Sequence, residues 1–447
     1  MADDTIFALA TAPGRAGVAM VRVSGPRAGK ALTRLGVTPP KPRVAMRSAI
    51  TDPDSGERLD DGLVLWFPAP HSFTGEDVAE LHLHGGRAVV ESVLQALSRI
   101  GGLRPAEAGE FTRRAFDHGK LDLTQVEALA DLVDAETRAQ QRQALRQFGG
   151  ALTALYDDWR TQLIKASAHL EAAIDFPDED LPPDVAEKVW HAVGDLRGRI
   201  DAHLLESARG ERIRDGVSVV ILGPPNAGKS SLLNWLARRD AAIVAPTPGT
   251  TRDVIEVHLD LGGYAATVAD TAGLRDAADA VEDEGIRRAR ARAHSADLKI
   301  VVFDGATWPA RDSAAAVLID AATVIVVSKA DVLDQRREME IDVEDSGRVT
   351  HFISTLSGFG TDAMMRRLKD MVAAMVGGLS GAPPSRVRHR VALEECRAAL
   401  VRAENQNAAE LAAEDLRLAA RALGRITGRI DVEDLLDAVF RDFCIGK

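Results

Sequence analysis

The sequence predicts a multidomain protein of the α/β class, with a nucleotide-binding domain in the middle of the chain. At 447 residues the chain is longer than one ordinary hydrophobic core. A stretch near its midpoint, "LGPPNAGKSSLLN", matches the glycine-rich loop that ends in Gly-Lys-Ser. Apolar strands surround this loop, whereas helical patterns occupy long stretches on both sides. These three observations predict a phosphate-binding domain inserted into a helical domain.

The glycine-rich loop has the local context that phosphate binding requires. The apolar run from Val217 to Leu222 suits a buried parallel strand, and a helical pattern follows from Ser231. Backbone N–H groups at the start of that helix would point at phosphate oxygens. Lys229 would reach the β and γ phosphates, and the hydroxyl of Ser230 would ligate Mg²⁺. An ordinary glycine-rich turn is the alternative, but strand, loop and helix all agree with phosphate binding. The predicted nucleotide contacts in the loop are Asn226, Ala227, Gly228, Lys229, Ser230 and Ser231.

Three further apolar runs, "ATVAD", "LKIVVFD" and "TVIVVSKAD", have the character of strands spaced by helix-sized segments. This repeat predicts a parallel, doubly wound sheet. The motif "DTAG" places Asp270 at a strand end, where the Mg²⁺ shell and the γ phosphate would lie. The predicted nucleotide contacts after these strands are Asp270, Thr271, Ala272, Gly273, Ser328, Lys329, Asp331 and Ser354.

Together these motifs resemble those of Ras-like GTPases. In that family an Asn-Lys-x-Asp motif follows a late strand, and its Asp accepts two hydrogen bonds from guanine. Ser328 replaces the Asn here, while Asp331 retains the acceptor, so the resemblance implies GTP as the nucleotide. The loop "ISTLSGFG" puts Ser354 at the family's last guanine-contacting motif, with Thr355 where Ala is more usual.

The residues that would support hydrolysis differ from the Ras pattern. Leu274 stands where Ras-like enzymes carry a Gln that orients water, and an apolar side chain cannot do so. Asn226, followed by "APTPGTTRD", resembles the GTPase subgroup that recruits K⁺ in place of an arginine finger. In that resemblance Ser230 and Thr251 ligate Mg²⁺ and Glu282 positions the water; a solvated helix charge is the alternative for Glu282. The implied K⁺ ligands are Asn226, Ala245, Thr247 and Thr250, and the implied nucleotide contacts of this loop are Ala245, Pro246, Thr247, Pro248, Gly249, Thr250 and Thr251.

Composition limits the other functions that the chain could have. The hydrophobic fraction is 46%, and no apolar run approaches the ~18 residues of a membrane span. The N-terminus carries acids where a signal peptide would carry bases, and two cysteines give no disulfide framework. We therefore expect a cytoplasmic protein with no membrane contact. A net charge of −12 argues against a general basic surface for nucleic acid, so any RNA contact must be a local patch or be shared with a partner.

Helical patterns flank the nucleotide-binding domain. Apolar residues recur at steps of three and four from Leu145 to Leu163, which predicts one stripe facing the core with Arg142 and Arg146 outside it. Proline-rich stretches, "DFPDEDLPPD" and "SGAPPSRVRHR", break these helical segments. The predicted domains are an α+β domain at 1–119, a first helical part at 120–213, the GTPase domain at 214–379, and a second helical part with the tail "CIGK" at 380–447.

The resemblance becomes almost full-length once the first domain is included. The segments "ATAPGRAGVAMVRVSG", "FTGEDVAELHLHGG", "GEFTRRAFDHGKLDLTQVEALADLV", "DFPDED" and the terminal "FCIGK" occur in order around the K⁺-type GTPase. Their order and spacing are similar to those of the MnmE (TrmE) family of tRNA modification GTPases. In that family the first domain resembles the tetrahydrofolate-binding fold of aminomethyltransferases and forms a homodimer.

This resemblance implies a folate site in the first domain. The implied ligand is 5-formyl- or 5,10-methylene-tetrahydrofolate, and the implied binding residues are Arg22, Glu80, Lys120 and Lys447. A carboxylate can pair with the amidine-like edge of a pterin, and the cations can meet its acidic parts. Each residue taken alone is better explained as a surface charge.

Cys444 in the terminal tail is a second candidate for a catalytic role, as a nucleophile near the folate. A small buried hydrophobe is the alternative for this cysteine. His82 and His84 stand one residue apart on a strand, but two ligands without a third favour a structural role over a metal site.

The family resemblance implies a function in tRNA modification. With its FAD-dependent partner MnmG (GidA), in a heterotetramer or larger complex, the GTPase would add a carboxymethylaminomethyl-type group to C5 of the wobble uridine of certain tRNAs. The implied cofactors are GTP, Mg²⁺, K⁺ and the reduced folate. A ribosome-assembly GTPase without modification activity is the alternative; a third class is a folate-dependent carrier with a vestigial switch.

Overall fold

The computed structural model describes residues 4–175, 185–239, 241–243, 256–270, 292–333, 349–378 and 381–430, together with residues 436, 439, 440, 443 and 446. These residues divide into two compact units. The first unit comprises Met1–Ala130, Phe148–Gln162 and Ala420–Lys447, and the second comprises Asp131–Gln147 and Leu163–Ala419. The predicted domain boundaries stay predictions, because the second unit combines the central sheet with helices that precede and follow it in the chain.

The first unit is built on a six-stranded mixed sheet with the order β3-β4-β5-β2-β1-β6. Its strands are β1 Thr5–Leu9, β2 Ala16–Ser24, β3 Met46–Thr51, β4 Arg58–Phe67, β5 Val78–Gly85 and β6 Leu103–Pro105. Both faces of β1 are covered, since Phe7 belongs to one core cluster and Ile6 and Ala8 belong to another. The register of the antiparallel pair β2 and β5 places Arg22 opposite Glu80.

The second unit contains another six-stranded sheet, with the order β12-β11-β10-β7-β9-β8. Its strands are β7 Val217–Leu222, β8 Glu256–Asp260, β9 Ala265–Asp270, β10 Leu298–Asp304, β11 Thr323–Ser328 and β12 Thr350–Phe352. All neighbours are parallel except β8, which runs antiparallel to β9. Successive residues of β7 pack into different cores, Ile221 into one and Val220 and Leu222 into another, which explains the continuous apolar run. The predicted parallel sheet is confirmed.

Helices precede and follow the central sheet in the chain. The early helices are α1 Ala28–Arg34, α2 Arg87–Ser98, α3 Glu110–Asp117, α4 Leu123–Val133, α5 Arg138–Phe148, α6 Ala151–Asp175, α7 Val185–Leu205 and α8 Ser207–Asp215. The later helices are α9 Lys229–Ala237, α10 Ser313–Ala316, α11 Thr361–Val376, α12 Val387–Asn405 and α13 Ala409–Thr427. This order confirms the predicted fold class, a GTPase domain inserted between helical segments and preceded by an α+β domain. Among the helices described, none is long and apolar enough to span a bilayer.

The predicted apolar stripe from Leu145 to Leu163 is divided in the structure, and this part of the prediction was wrong. The chain turns between α5 and α6, where Gly150 has a φ of +83° that only glycine adopts without strain. Leu152 and Trp159 on α6 are buried as expected, but Leu145 on α5 is 48% exposed. Helical spacing alone did not reveal the turn, because the steps of three and four continue across it.

A half-buried histidine on α7, His203, makes stability sensitive to acid. Burial, together with the charge that His389 can carry, lowers the pKa of His203 from 6.5 to about 4. The folded protein therefore prefers the neutral imidazole, and its contribution to stability is complete above pH 6.5 and is lost as the pH falls toward 4. A shift of this size corresponds to roughly 3 to 3.5 kcal/mol at most.

We expect His203→Gln to reduce the loss of stability between pH 7 and pH 4.5, because it removes the group that must take up a proton. The measurement is urea unfolding of both proteins at the two pH values. His191→Gln is the matched control, since His191 lies on the same helix and its side chain is 79% exposed. An acid dependence that is identical in His203→Gln and wild-type protein would contradict this account.

Candidate functional site

The candidate nucleotide site lies at the carboxyl edge of the central sheet. Parallel register places Leu222 beside Val301 and Asp304 beside Ser328, so the loops after β7, β10 and β11 emerge together. The backbone of Asp270 lies opposite Ile221 at the end of β9, which brings the start of "DTAG" to the same edge. The predicted motifs thus converge on one place.

The phosphate loop after β7 needs backbone conformations that few residues adopt. Gly223 and Gly228 have φ values of +145° and +92°, and Asn226 has a φ of +63°. A Cβ at Gly223 would lie 2.2 Å from the carbonyl oxygen of Val302, so no other residue fits there. Helix α9 begins directly after Gly228, with neither a side-chain cap nor an acid in its first turn. The loop and the helix start together form a cradle whose chemistry suits an anion.

The ammonium of Lys229 lies inside this cradle. Its Nζ atom donates to the carbonyl oxygens of Gly223 and Pro224, at 2.9 and 2.8 Å. The residue is only 8% exposed. The loop therefore holds a fixed positive charge at its centre, next to the helix N-terminus.

Ser328, which stands where Asn is usual, lies beneath the phosphate loop. Its hydroxyl donates to the carbonyl oxygen of Ala227 at 2.6 Å, and the residue is 5% exposed. A Cβ at Gly228 would lie 3.1 Å from the same hydroxyl oxygen. Ser328 thus ties the end of β11 to the phosphate loop. The sequence alone placed this residue in the nucleotide site but did not show this bond.

Lys329 makes a second connection between the same two segments. Its Nζ atom donates to the carbonyl oxygen of Asn226 at 3.1 Å and to Asp304 Oδ2 at 2.6 Å. Burial alone would raise the pKa of Asp304, but the bonds from Lys329 and the Ala306 N–H lower it overall. Sequence reasoning missed Asp304; the signal was an acid at the end of "LKIVVFD", next to the strand that ends in Ser328.

The two loops predicted to recognise the base lie against each other. The backbone N–H of Ala330 donates to the carbonyl oxygen of Ile353 at 3.0 Å. Asp331 follows in a short 3₁₀ helix and is exposed, so its carboxylate faces solvent. Ser354 is 1% exposed, and its hydroxyl accepts from the Ser357 N–H at 3.3 Å. Ser354 therefore shapes its loop from inside, while Asp331 presents an acceptor outward.

Several predicted site residues lie outside the described residues. These are Ala245, Pro246, Thr247, Pro248, Gly249, Thr250, Thr251, Thr271, Ala272, Gly273, Glu282, Cys444 and Lys447, and for Asp270 only the backbone is described. Their roles stay predictions.

The first unit brings two predicted folate residues together. Arg22 donates to Glu80 Oε1 from Nε at 3.1 Å and from a terminal nitrogen at 2.9 Å, and both side chains are 16% exposed. The guanidinium of Arg22 also lies 5.4 Å from the ring centre of Phe73 and 5.7 Å from that of Phe111. A partly exposed charge pair beside the partly exposed ring of Phe73 suits a flat, polar heterocycle, whereas Phe111 is buried and supports Arg22 from the core. Sequence reasoning missed both phenylalanines.

Lys120 contacts the start of the loop that carries Phe73. Its Nζ atom donates to the carbonyl oxygen of Pro70 at 3.0 Å, and the residue is exposed. Phe73 lies three positions after Pro70, a reach of at most roughly 11 Å. The terminal tail belongs to the same unit, because a Cβ at Gly446 would lie 2.3 Å from the carbonyl oxygen of Leu9.

A buried ion network supports this loop from beneath. Arg114 is 6% exposed and bonds to Asp4, Glu76 and Glu110. Burial raises the pKa of Glu110, but bonds from Arg104, the Glu107 N–H and Arg114 lower it overall, so the carboxylate stays charged. The network holds the side chain of Glu76, which follows the loop residue Thr74 by two positions in the chain. It also explains why Glu110 and Arg114 occur together in the segment "GEFTRR".

His82 and His84 each lie beside a carboxylate in the structure. His84 Nδ1 lies 2.8 Å from Asp60, and His82 Nε2 lies 3.5 Å from Glu80. Within the described ranges no group of three or more metal-ligating side chains occurs.

The parallel sheet, the glycine-rich cradle around Lys229 and the paired base loops define the class of P-loop GTPases. The chain belongs to the MnmE (TrmE) family of tRNA modification GTPases. The family model "GTP-binding protein TrmE N-terminus" matches residues 5–120, and "MnmE helical domain" matches residues 123–444.

Full-length relatives agree with this membership. The "tRNA modification GTPase MnmE" of Rhodospirillum rubrum is 57% identical and that of Paramagnetospirillum magneticum is 56% identical, each covering 100% of both chains. A Danio rerio relative named "5-taurinomethyluridine-[tRNA] synthase subunit GTPB3, mitochondrial" is 48% identical and covers 100% of this chain and 93% of its own length.

Proposed function

We propose that this chain is a K⁺-activated GTPase that works with the FAD-dependent MnmG (GidA) on tRNA. The pair installs a carboxymethylaminomethyl-type group at C5 of the wobble uridine, with a carbon from 5-formyl- or 5,10-methylene-tetrahydrofolate. The names of the bacterial and zebrafish relatives support a tRNA substrate, and the word "subunit" in the latter supports a partner protein.

The observation that carries the GTPase part is the cradle around Lys229. Its ammonium and the N-terminus of α9 are oriented before the nucleotide binds, so phosphate oxygens take the place of the Gly223 and Pro224 carbonyls with little reorganisation. Ser328 and Lys329 hold the loop in register with the base-binding segment, where Asp331 accepts from guanine.

Two cations complete the proposed nucleotide site. Ser230 and Thr251 are the proposed Mg²⁺ ligands, and the proposed K⁺ ligands are Asn226, Ala245, Thr247 and Thr250. Asn226 has a left-handed backbone and is exposed on the loop, which fits a role as a cation ligand. When bound, these ions neutralise charge that develops on the phosphates. Glu282 is the proposed orienter of the attacking water, since Leu274 cannot act in that way.

The folate part of the proposal depends on the pair of Arg22 and Glu80. Glu80 is proposed to accept from the amidine-like edge of a pterin, and its ion pair with Arg22 supports this role because it holds the carboxylate in position. Lys120 and Lys447 are proposed to meet the acidic parts of the cofactor, and Cys444 is the proposed nucleophile of the tail. A cytoplasmic homodimer that assembles with MnmG into a heterotetramer completes the proposal. The match of the first domain to the TrmE model favours this function over a ribosome-assembly GTPase or a carrier with a vestigial switch.

The role of K⁺ gives a direct test of the GTPase mechanism. We expect GTP hydrolysis to be faster in K⁺ than in Na⁺ at equal ionic strength, by roughly 10²-fold, because one fixed charge at the phosphates has about that effect. Asn226→Gly should remove the response while it preserves nucleotide binding, since glycine adopts the φ of +63° without strain. Equal rates of the wild-type protein in the two salts would contradict K⁺ activation.

A further inference from the structure

Helix α5 carries a row of positive charge on its exposed face. Its sequence, "RAQQRQALRQF", contains three arginines and no acid. Arg138, Arg142 and Arg146 are all exposed and stand four residues apart, so they share one face. The rise of the helix separates successive members by about 6 Å along the axis. We call these three residues the arginine row.

Among the residues that the structure describes, no acid forms an ion pair with the arginine row. Within the part of the chain that the structure describes, no carboxylate lies within 4.0 Å of these guanidinium groups. Arg146 donates a hydrogen bond to the carbonyl oxygen of Gly381 at 3.3 Å. Several exposed arginines elsewhere are paired with acids, for example Arg47 with Asp61 and Arg87 with Glu91. In a chain of net charge −12, these three exposed arginines form a local row of positive charge.

Glutamines on the opposite face hold this helix firmly. Gln143 donates to the carbonyl oxygen of Gly210 at 3.0 Å, and Gln147 donates to that of Pro383 at 3.1 Å. The carbonyl of Gln147 also accepts from Ser385 at 3.1 Å. Gly210 belongs to α8, which leads into the central sheet, and Pro383 follows α11, which ends the GTPase domain. The helix is therefore bonded to the segments that lead into and out of that domain. The arginine row lies on the exposed face of this firmly held helix.

We propose that the arginine row binds the phosphate backbone of RNA. This inference deepens the proposed function, on which it rests, by assigning residues of the GTPase chain that contact the tRNA. Regularly spaced guanidinium groups suit a row of phosphates, because each can bind phosphate oxygens through two N–H groups. The exposed face offers one apolar side chain, Leu145, and no aromatic residue, so it lacks the anchors of a protein interface. Contacts of this kind position an RNA without reading its sequence.

The experiment compares full-length variants for binding of unmodified tRNA transcripts across a range of salt. The test variant is R138Q/R142Q/R146Q, and R138K/R142K/R146K retains the charge. R47Q/R87Q/R417Q is the matched control, because it changes the net charge equally at exposed arginines that are paired with acids. Arg142→Glu, at the centre of the row, is a second variant in case the triple glutamine protein does not fold.

We expect the glutamine variant to bind tRNA at least tenfold more weakly at low salt. The slope of log K against log salt should become shallower by about 2 to 3, the number expected for three lost phosphate contacts. The lysine variant and the matched control should keep most of the affinity. GTP hydrolysis without tRNA should be unchanged in all variants, which shows that they are folded.

An unchanged salt slope in the glutamine variant and in Arg142→Glu would overturn the proposal that the arginine row binds RNA. If the glutamine variant loses binding to an acidic protein partner but binds tRNA as the wild-type protein does, the proposal is also overturned, and the arginine row is a protein interface. Failure of the wild-type protein to bind tRNA at low salt would contradict the proposed tRNA substrate itself, and this outcome is distinguishable because no variant is needed to see it.

Discussion

Replacement of Lys229 by alanine is expected to lower kcat/KM for GTP hydrolysis by roughly 10²- to 10³-fold. The ammonium is fixed inside the phosphate loop by the Gly223 and Pro224 carbonyls and is 8% exposed, so no other side chain can replace its charge without rebuilding the loop. The variant also leaves these two carbonyl oxygens without the donor that they now share. Most of the loss should appear in kcat, because negative charge on the β–γ bridge grows as the bond to the γ phosphate breaks.

The measurement for Lys229→Ala is steady-state GTP hydrolysis in K⁺, together with fluorescence titration of a labelled guanine nucleotide. Lys165→Ala is the control, because Lys165 is exposed on α6. A kcat/KM within a factor of three of the wild-type value would show that the loop after β7 is not the catalytic nucleotide site.

Glu80→Gln is expected to abolish tRNA modification while GTP hydrolysis continues at the wild-type rate. The substitution preserves the shape of the side chain but removes the charge that would pair with the pterin and that now holds Arg22 at 2.9 Å. Loss of hydrogen bonds to a charged group should weaken the binding of 5-formyltetrahydrofolate by roughly 10- to 100-fold. The phosphate loop belongs to the other compact unit, so the nucleotide contacts are unchanged.

Calorimetry with the folate, a GTPase assay and nucleoside analysis on the same preparations test this separation. Glu91→Gln is the matched control, because that acid is 53% exposed and pairs with Arg87 in the same unit. Normal folate binding by Glu80→Gln would assign the pair of Arg22 and Glu80 a structural role only.

The central sheet could be predicted from the sequence because its signals are local. The run from Val217 to Leu222 is apolar throughout since both of its faces are buried, and Gly223 and Gly228 are required by backbone conformation within the loop itself. The same local logic located Lys229 and Ser230 at the start of a helix. Such features need no knowledge of distant contacts.

The bonds that depend on tertiary register could not be predicted. The hydroxyl of Ser328 reaches Ala227 across 101 positions of sequence, and Arg22 meets Glu80 across 58. Both bonds follow from strand pairing, which the pattern of apolar residues does not specify. The turn at Gly150 was missed for a different reason, because apolar steps of three and four continue across it although Leu145 is exposed.

The most direct test of the central claim is mass spectrometry of nucleosides from the tRNA of cells that lack this protein. We expect that the carboxymethylaminomethyl group on wobble uridine is missing, that wild-type protein restores it, and that Lys229→Ala does not. A normal level of the modified uridine in cells without the protein would contradict its role in tRNA modification.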